Sequence, residues 1–283
     1  MTYSILVNTC DNFEDCWDPF FKLLSKYWPD CKGKIYLNTE YKDYSYPGLD
    51  IMPVKGCERN NFPRDKRATW SQCLIWALDI IDTDIVLYMQ EDYFLKKGVN
   101  NVLFENELKQ ISDNDNIQRI YLLSSLSNNK KRSLRYSQYY LDNRNCDYYA
   151  HTQAALWKKN ALISLIKTDE SGWDFEKYAT CRARMFPYNF YSVSYSQENP
   201  IMEYVMTGIV KGKWFPECVE VFKKNEILVD FSKRGFYIGG LKNPFCRRVR
   251  NGFYTIIKNF VNDFILIYLY FKFYKKRCIC EKN

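Results

Sequence analysis

The chain of 283 residues is 47% hydrophobic and 18% aromatic, enough to bury a sizeable core as one large domain or two small ones. Its net charge of +8 sits in the tail: residues 223–283 hold 14 Lys and Arg against 4 Asp and Glu, and the preceding 222 hold 27 against 29. This distribution argues against a nucleic-acid-binding core and for a tail that meets an anionic surface.

Ile5-Leu6-Val7 reads as a buried strand ending at Asn8-Thr9-Cys10-Asp11, and Phe13 to Tyr27 carries apolar residues at helical spacing up to Pro29. Lys34–Leu37 and Asp50–Val54 read as two further strands. Pro63 opens a helix with Cys73, Leu74, Ala77, Leu78 and Ile81 on one face, and the apolar run Ile85–Met89 follows as a strand. Strands alternating with helices predict an α/β fold with a mixed, mainly parallel sheet. Beyond residue 95 the expected elements are a helix over 103–111, a strand over 118–124 and a loop or small ribbon over 127–145. A strand over 148–157 and helices over 159–167, 173–186 and 203–210 complete the series. One composite domain over 1–240 is expected, with a nucleotide-binding half (1–95) and an acceptor half (96–240), followed by a basic aromatic helical tail over 241–283.

In that tail, the uninterrupted apolar run Phe264–Phe271 is far shorter than the roughly 20 residues that span a bilayer. Flanked by Arg247, Arg248 and Arg250 and by Lys272, Lys275, Lys276 and Arg277, it fits an interfacial amphipathic helix, or an ordinary packing helix with a solvated basic end. The N-terminus lacks the basic segment of a signal peptide. Eleven cysteines without a CxxC pair, beside the single His151, argue against a structural zinc site and for free thiols in a reducing cytosol.

The strand over 85–89 ends on Gln90-Glu91-Asp92, which puts two carboxylates at the carboxyl edge of the sheet, where open α/β folds bind ligands. Adjacent acids repel unless a cation stands between them, and a divalent ion bridging to a phosphate answers that need. Two literal Asp-x-Asp strings compete. Asp82-Thr83-Asp84 precedes its strand and falls at the wrong edge, and Asp113-Asn114-Asp115 sits in turn composition. A second acidic segment, Glu170-Ser171-Gly172-Trp173-Asp174-Phe175-Glu176, places Glu176 three residues from Trp173 on one helical face. The same string also reads as a helix-capping start. Arg59, Arg64, Lys66 and Arg67 crowd the expected start of the second helix, either to meet an anion or as a solvated basic face.

Together the first strand with Asn8-Thr9-Cys10-Asp11, the segment Trp70-Ser71-Gln72-Cys73-Leu74 and the strand ending Gln90-Glu91-Asp92 resemble a glycosyltransferase of the GT-A fold. More narrowly, the chain resembles the family-2-like enzymes of bacterial surface-polysaccharide biosynthesis, over roughly residues 3–215. The resemblance implies transfer of a sugar from a nucleotide-sugar, a UDP-sugar foremost, to a hydroxyl of a glycan or lipid-linked oligosaccharide at the cytoplasmic membrane face. It implies Thr9 and Asp11 as contacts to the nucleotide, and Asp92 with Glu91 as ligands of Mn²⁺ or Mg²⁺ on the diphosphate. Arg64 and Arg67 would reach the diphosphate, Gln153 would contact the donor sugar, and Lys213 would sit on a segment closing over the leaving group. Glu176, then Asp174, would deprotonate the acceptor if the enzyme inverts. Gln90 stands where that family usually has an aspartate. A sugar-nucleotidyltransferase would need a glycine-rich loop after the first strand, which Asn8–Asn12 lacks. A non-catalytic carbohydrate-binding or assembly protein stays open as the alternative.

Overall fold

The computed structural model describes residues 2–123, 131–132, 139–145, 148–193 and 200–239. Met1–Tyr237 form one compact unit, and residues from Ile238 onward form another, of which only 238 and 239 are described. The expected tail helix and its basic flanks lie outside the described residues.

The first unit is built on strands β1 (Ser4–Asn8), β2 (Lys34–Asn38), β3 (Ile51–Pro53) and β4 (Ile85–Gln90), all parallel, in the order β3-β2-β1-β4. All five residues of β1 are buried, as a central parallel strand covered on both faces requires. The sheet continues through β8 (Ala155–Lys158), β5 (Arg119–Tyr121), β9 (Phe190–Val193), β7 (Tyr139–Leu141) and β6 (Lys131–Arg132). Only β8 and β7 run against the rest, so the sheet is mixed and mainly parallel, as expected.

Helices cover both faces. Ile5 and Val7 pack with α1 (Trp17–Tyr27) and α4 (Asn101–Asp113); Leu6 and Val86 pack with α3 (Trp70–Ile80), α5 (Lys159–Leu165) and α6 (Gly172–Met185). A single turn, α2 (Gly56–Arg59), precedes α3, and α7 (Glu217–Lys224) closes the first of these layers through Phe222.

Three differences from expectation bear on the site, beside a strand expected over 148–157 that is confined to Ala155–Lys158 and a helix α7 that the spacing did not mark. Helix α3 starts at Trp70 rather than Pro63. Thr69 caps it by accepting from the Gln72 amide at 3.1 Å, and Gln72 returns the bond to the Thr69 amide at 3.0 Å. That reciprocal box fixes the boundary, so Arg59, Arg64, Lys66 and Arg67 lie ahead of the helix instead of on its first turn. The second difference is residues 203–210, which are extended. Tyr204 bridges Leu95, and the Lys96, Val205 and Gly208 amides bond Glu203, Phe94 and Asp92 carbonyls at 2.8, 2.9 and 3.0 Å. Pairing with the segment after β4 overrides the helical spacing. Third, the segment around Lys213 is a formed hairpin, β10 (Ile209–Val210) against β11 (Lys213–Trp214). Its turn residues Lys211 and Gly212 both have positive φ, 52° and 77°, as a two-residue hairpin turn demands.

Candidate functional site

Parallel register aligns the ends of three strands: Asn8 lies opposite Asn38 and Gln90. Their side chains form a polar seam across the sheet edge. Asn38 donates to Asn8 at 2.8 Å, and Asn8 and Gln90 both donate to the Tyr88 hydroxyl, at 3.1 and 3.3 Å. Gln90 therefore spends its amide on the Tyr88 hydroxyl that Asn8 also meets, a bond an aspartate could not make by donation.

Immediately past this seam a cleft of about 930 Å³ opens, lined by Asn8, Thr9, Gln90, Glu91 and Asp92 on the strand side and by Ser171, Trp173, Asp174 and Glu176 on the α6 side. Among the described residues seven carboxylates line it against one guanidinium, that of Arg67. Glu170 is the compensated one: it is buried and accepts from both terminal nitrogens of Arg182 at 2.6 Å. Such a cleft repels any polyanion unless a cation enters with it.

Glu91 and Asp92 are both buried. Asp92 Oδ2 accepts from Thr207 Oγ1 and from the Ile209 amide, both at 3.0 Å. Its other oxygen, Oδ1, is buried and has no hydrogen-bond partner among the described residues. Burial raises the Asp92 carboxyl above its ordinary range, against the pull of the Ile209, Thr207 and Gly208 bonds. Glu91 is raised well above the usual range, by burial first and by the neighbouring Asp92 charge second. The clamp needs a close backbone approach: a Cβ on Gly208 would stand 2.3 Å from the Phe94 ring and 2.8 Å from the Asp92 carbonyl. An orphaned carboxylate oxygen on a rigidly held side chain, beside a second acid, fits a hard divalent ion.

Across the cleft, Ser171 caps α6 and Asp174 completes a capping box, its Oδ2 accepting from Ser171 Oγ at 2.6 Å. Those bonds hold the Asp174 carboxyl below its ordinary range. Glu176, two residues and so about half a turn on, faces a different partner. Its Oε1 accepts from the Thr152 amide at 3.0 Å and the Thr152 hydroxyl at 2.8 Å, and the Thr152 carbonyl accepts from Tyr93 at 3.0 Å. Tyr93 thus links the strand-edge acids to Glu176 through one residue. Trp173 is 79% exposed, and Tyr148 is 55% exposed; both stand at the cleft.

The cleft brings together Thr9, Arg67, Glu91, Asp92, Gln153, Asp174 and Glu176. Thr9 accepts from Trp17 Nε1 at 3.0 Å, and Gln153 is held by Tyr204 at 3.1 Å and the Met206 carbonyl at 3.3 Å. Asp11, Arg64 and Lys213 are not on its walls. Asp11 spends its carboxylate on the Glu40, Tyr41 and Lys42 amides at 2.8, 2.9 and 3.2 Å. Arg64 stacks over the Tyr41 ring at 4.3 Å, and Lys213 is exposed on the hairpin. His151 packs edge-on against Tyr121 with ring centroids 4.7 Å apart. Both Asp-x-Asp strings stay outside, Asp82–Asp84 ahead of β4 and Asp115 paired with Lys158 at 2.9 Å. Sequence reasoning missed Tyr88, Thr152, Thr207 and Gly208. An isolated glycine in an apolar segment was the one available signal.

No protein-family model matches the chain, and no curated protein matches it. Among solved structures it is similar to glucosyl-3-phosphoglycerate synthase from Mycobacterium tuberculosis, whose structure is a complex with Mn²⁺, uridine diphosphate and phosphoglyceric acid. The identity is 10% and the TM-score 0.43, over 68% of this chain and 67% of that one. It is also similar to S. aureus TarS (residues 1–349), at 10% identity and TM-score 0.42, over 69% and 59%. A third is the bifunctional IspDF from Campylobacter jejuni, at 14% and 0.38, over 74% and 53%. The chain spans about two thirds of the length of the first of these proteins and less of the other two.

Proposed function

We propose that this chain is a GT-A-like glycosyltransferase that moves a sugar from a nucleotide-sugar donor, a UDP-sugar foremost, to a hydroxyl of a glycan or lipid-linked acceptor. The observation that carries the reading is the buried Asp92 Oδ1, without a partner among the described residues, at the strand edge of a strongly acidic cleft. A nucleoside diphosphate is repelled by these walls on its own and attracted once a divalent ion is bound. Asp92, with Glu91, would hold Mn²⁺ or Mg²⁺, which supplies positive charge to a departing diphosphate. The N-cap residues of α3 and α6 also line the cleft, so two helix dipoles open their positive ends on it.

Glu176 is the base of this reading. An acceptor hydroxyl must lose its proton as the new bond forms, and a carboxylate fixed by two bonds from Thr152 is positioned for that. Asp174 is the second choice, because its carboxylate is engaged in the capping box of α6. Trp173 and Tyr148 offer exposed aromatic faces to a sugar ring, and Gln153 a polar contact to the donor sugar. The basic tail would hold the enzyme at an anionic, cytoplasmic membrane surface.

The test is binding of UDP, GDP, CDP and dTDP with and without Mn²⁺, read by thermal shift. A shift for one nucleotide, present only with the ion and lost in Asp92→Ala, is expected. A wild-type protein that binds none of them at any Mn²⁺ concentration ends the reading.

A further inference from the structure

One wall of the cleft carries a second group of metal-type ligands that the transfer reading does not use. A carboxylate oxygen of Glu40 and the sulfurs of Cys57 and Cys73 lie within 4.8 Å of one another. They come from three segments: the loop after β2, the single turn α2 and the first turns of α3. Cys57 is 1% exposed and Cys73 6%.

The scaffold around them is built rather than accidental. The Cys57 and Glu58 amides both donate to the Glu40 carbonyl, at 3.1 and 3.2 Å, and the Gly56 amide donates to Thr39 at 2.9 Å. Lys55 takes a left-handed φ of 51° to make this turn. The Glu40 carboxylate is oriented from the other side, since its Oε2 accepts from the Asp11 amide at 3.2 Å. Asp11 in turn grips the backbone of residues 40–42, which explains why its carboxylate is spent there. Orientation of a ligand by a hydrogen bond of this kind is what tuned metal sites show. Tyr41, Phe62 and Trp76 pack an apolar shell about the two thiols.

Burial raises both thiols, and Glu40 and the partner thiol raise Cys73 further. A divalent cation bound here would favour the thiolate form and take the place of the thiol protons. Two sulfurs and one carboxylate select a thiophilic ion rather than Mg²⁺ or Ca²⁺. Ligand atoms on one tetrahedral zinc lie about 3.5–3.8 Å apart, so the side chains need to close by only about 1 Å. Glu40 and Cys73 also line the cleft, which leaves the fourth position open to it.

We propose that Glu40, Cys57 and Cys73 form a site for one thiophilic divalent cation of the zinc class, distinct from the Glu91–Asp92 pair. It ties the loop after β2 to α3, along one wall of the cleft.

The test is titration of the reduced, chelator-treated full chain with Co²⁺, followed by Zn²⁺. A thiolate-to-cobalt charge-transfer band that saturates near one equivalent and is displaced by Zn²⁺ is expected. Carboxylates alone give no such band, so failure of the nucleotide reading leaves this readout untouched. The band should vanish in Cys57→Ser/Cys73→Ser. It should persist when the cysteines outside the described residues are removed together (Cys146→Ser, Cys246→Ser, Cys278→Ser, Cys280→Ser). Glu40→Gln keeps both thiols and should keep the band with affinity about tenfold weaker or worse. No band in the wild type, a band surviving the double variant, loss in the quadruple variant, or unchanged affinity in Glu40→Gln would each overturn the proposal. So would a Cys57–Cys73 disulfide forming readily in a protein that shows no band when reduced.

Discussion

Two buried acids face the same cleft and are treated in opposite ways. Glu170 lies against Arg182, which gives it both terminal guanidinium nitrogens, and Arg182 also donates to the Leu165 carbonyl at 2.9 and 2.5 Å. Asp92 has a hydroxyl and an amide on one oxygen and, among the described residues, nothing on the other. A buried carboxylate with an internal cation is finished structure; removing either partner leaves an uncompensated charge. A buried carboxylate without one has kept a place for a ligand from outside. The contrast separates acids that hold the cleft in shape from acids poised to act in it, although all of them are conspicuous in a sequence string.

Substitutions can break this contrast at either end. Asp92→Asn keeps an acceptor for the Ile209 amide but removes the charge. It should lower transfer by about 10³-fold while leaving the melting temperature of the metal-free protein unchanged or higher, read by donor turnover and calorimetry. A fall in both would place Asp92 with Glu170 as structure. Arg182→Met should do the reverse and cost about 3–5 kcal/mol in denaturant unfolding, because Glu170 is left buried and alone.

Glu176→Gln sharpens the contrast on the α6 side. It preserves an acceptor for Thr152 and should reduce turnover by about 10²-fold with little change in donor affinity, as measured by steady-state kinetics. Unchanged turnover would remove Glu176 from the chemistry. The smallest effect belongs to Asp174→Ala, which should cost ~0.5–1 kcal/mol through the lost capping box. The folded-state carboxyl is held below its ordinary 3.8, so the cap's contribution is complete above that value and fades as pH falls through the depressed one. The melting difference between wild type and Asp174→Ala should therefore be present at neutral pH and vanish in strong acid.

Much of the frame was legible because it is written in local pattern. The apolar runs of β1, β2 and β4 mark buried parallel strands, and their polar ends fall at one edge because parallel register puts them there. Ser171 and Asp174 spell a helix start within four residues. Where pattern misled, a distant segment decided in one case and a local capping box in the other. Residues 203–210 have spacing that suits a helix, yet the backbone of 92–96 supplies a ladder for them. Pro63 suggested the start of α3, while the reciprocal bonds of Thr69 and Gln72 settle it further along.

The sequence by itself determined the α/β rhythm, the acids Glu91 and Asp92 at the carboxyl edge, and the position of Glu176 one turn into a capped helix. All of these depend on residues within a few positions of one another. Only the tertiary structure decided which acids are already neutralised and that Glu40, Cys57 and Cys73 meet. Those outcomes depend on contacts between segments far apart in the chain, Thr207 on Asp92 and α2 against α3 among them, and no spacing rule carries such contacts. A carboxylate's role follows from what lies beside it, and its neighbours are chosen by the packing of the whole sheet.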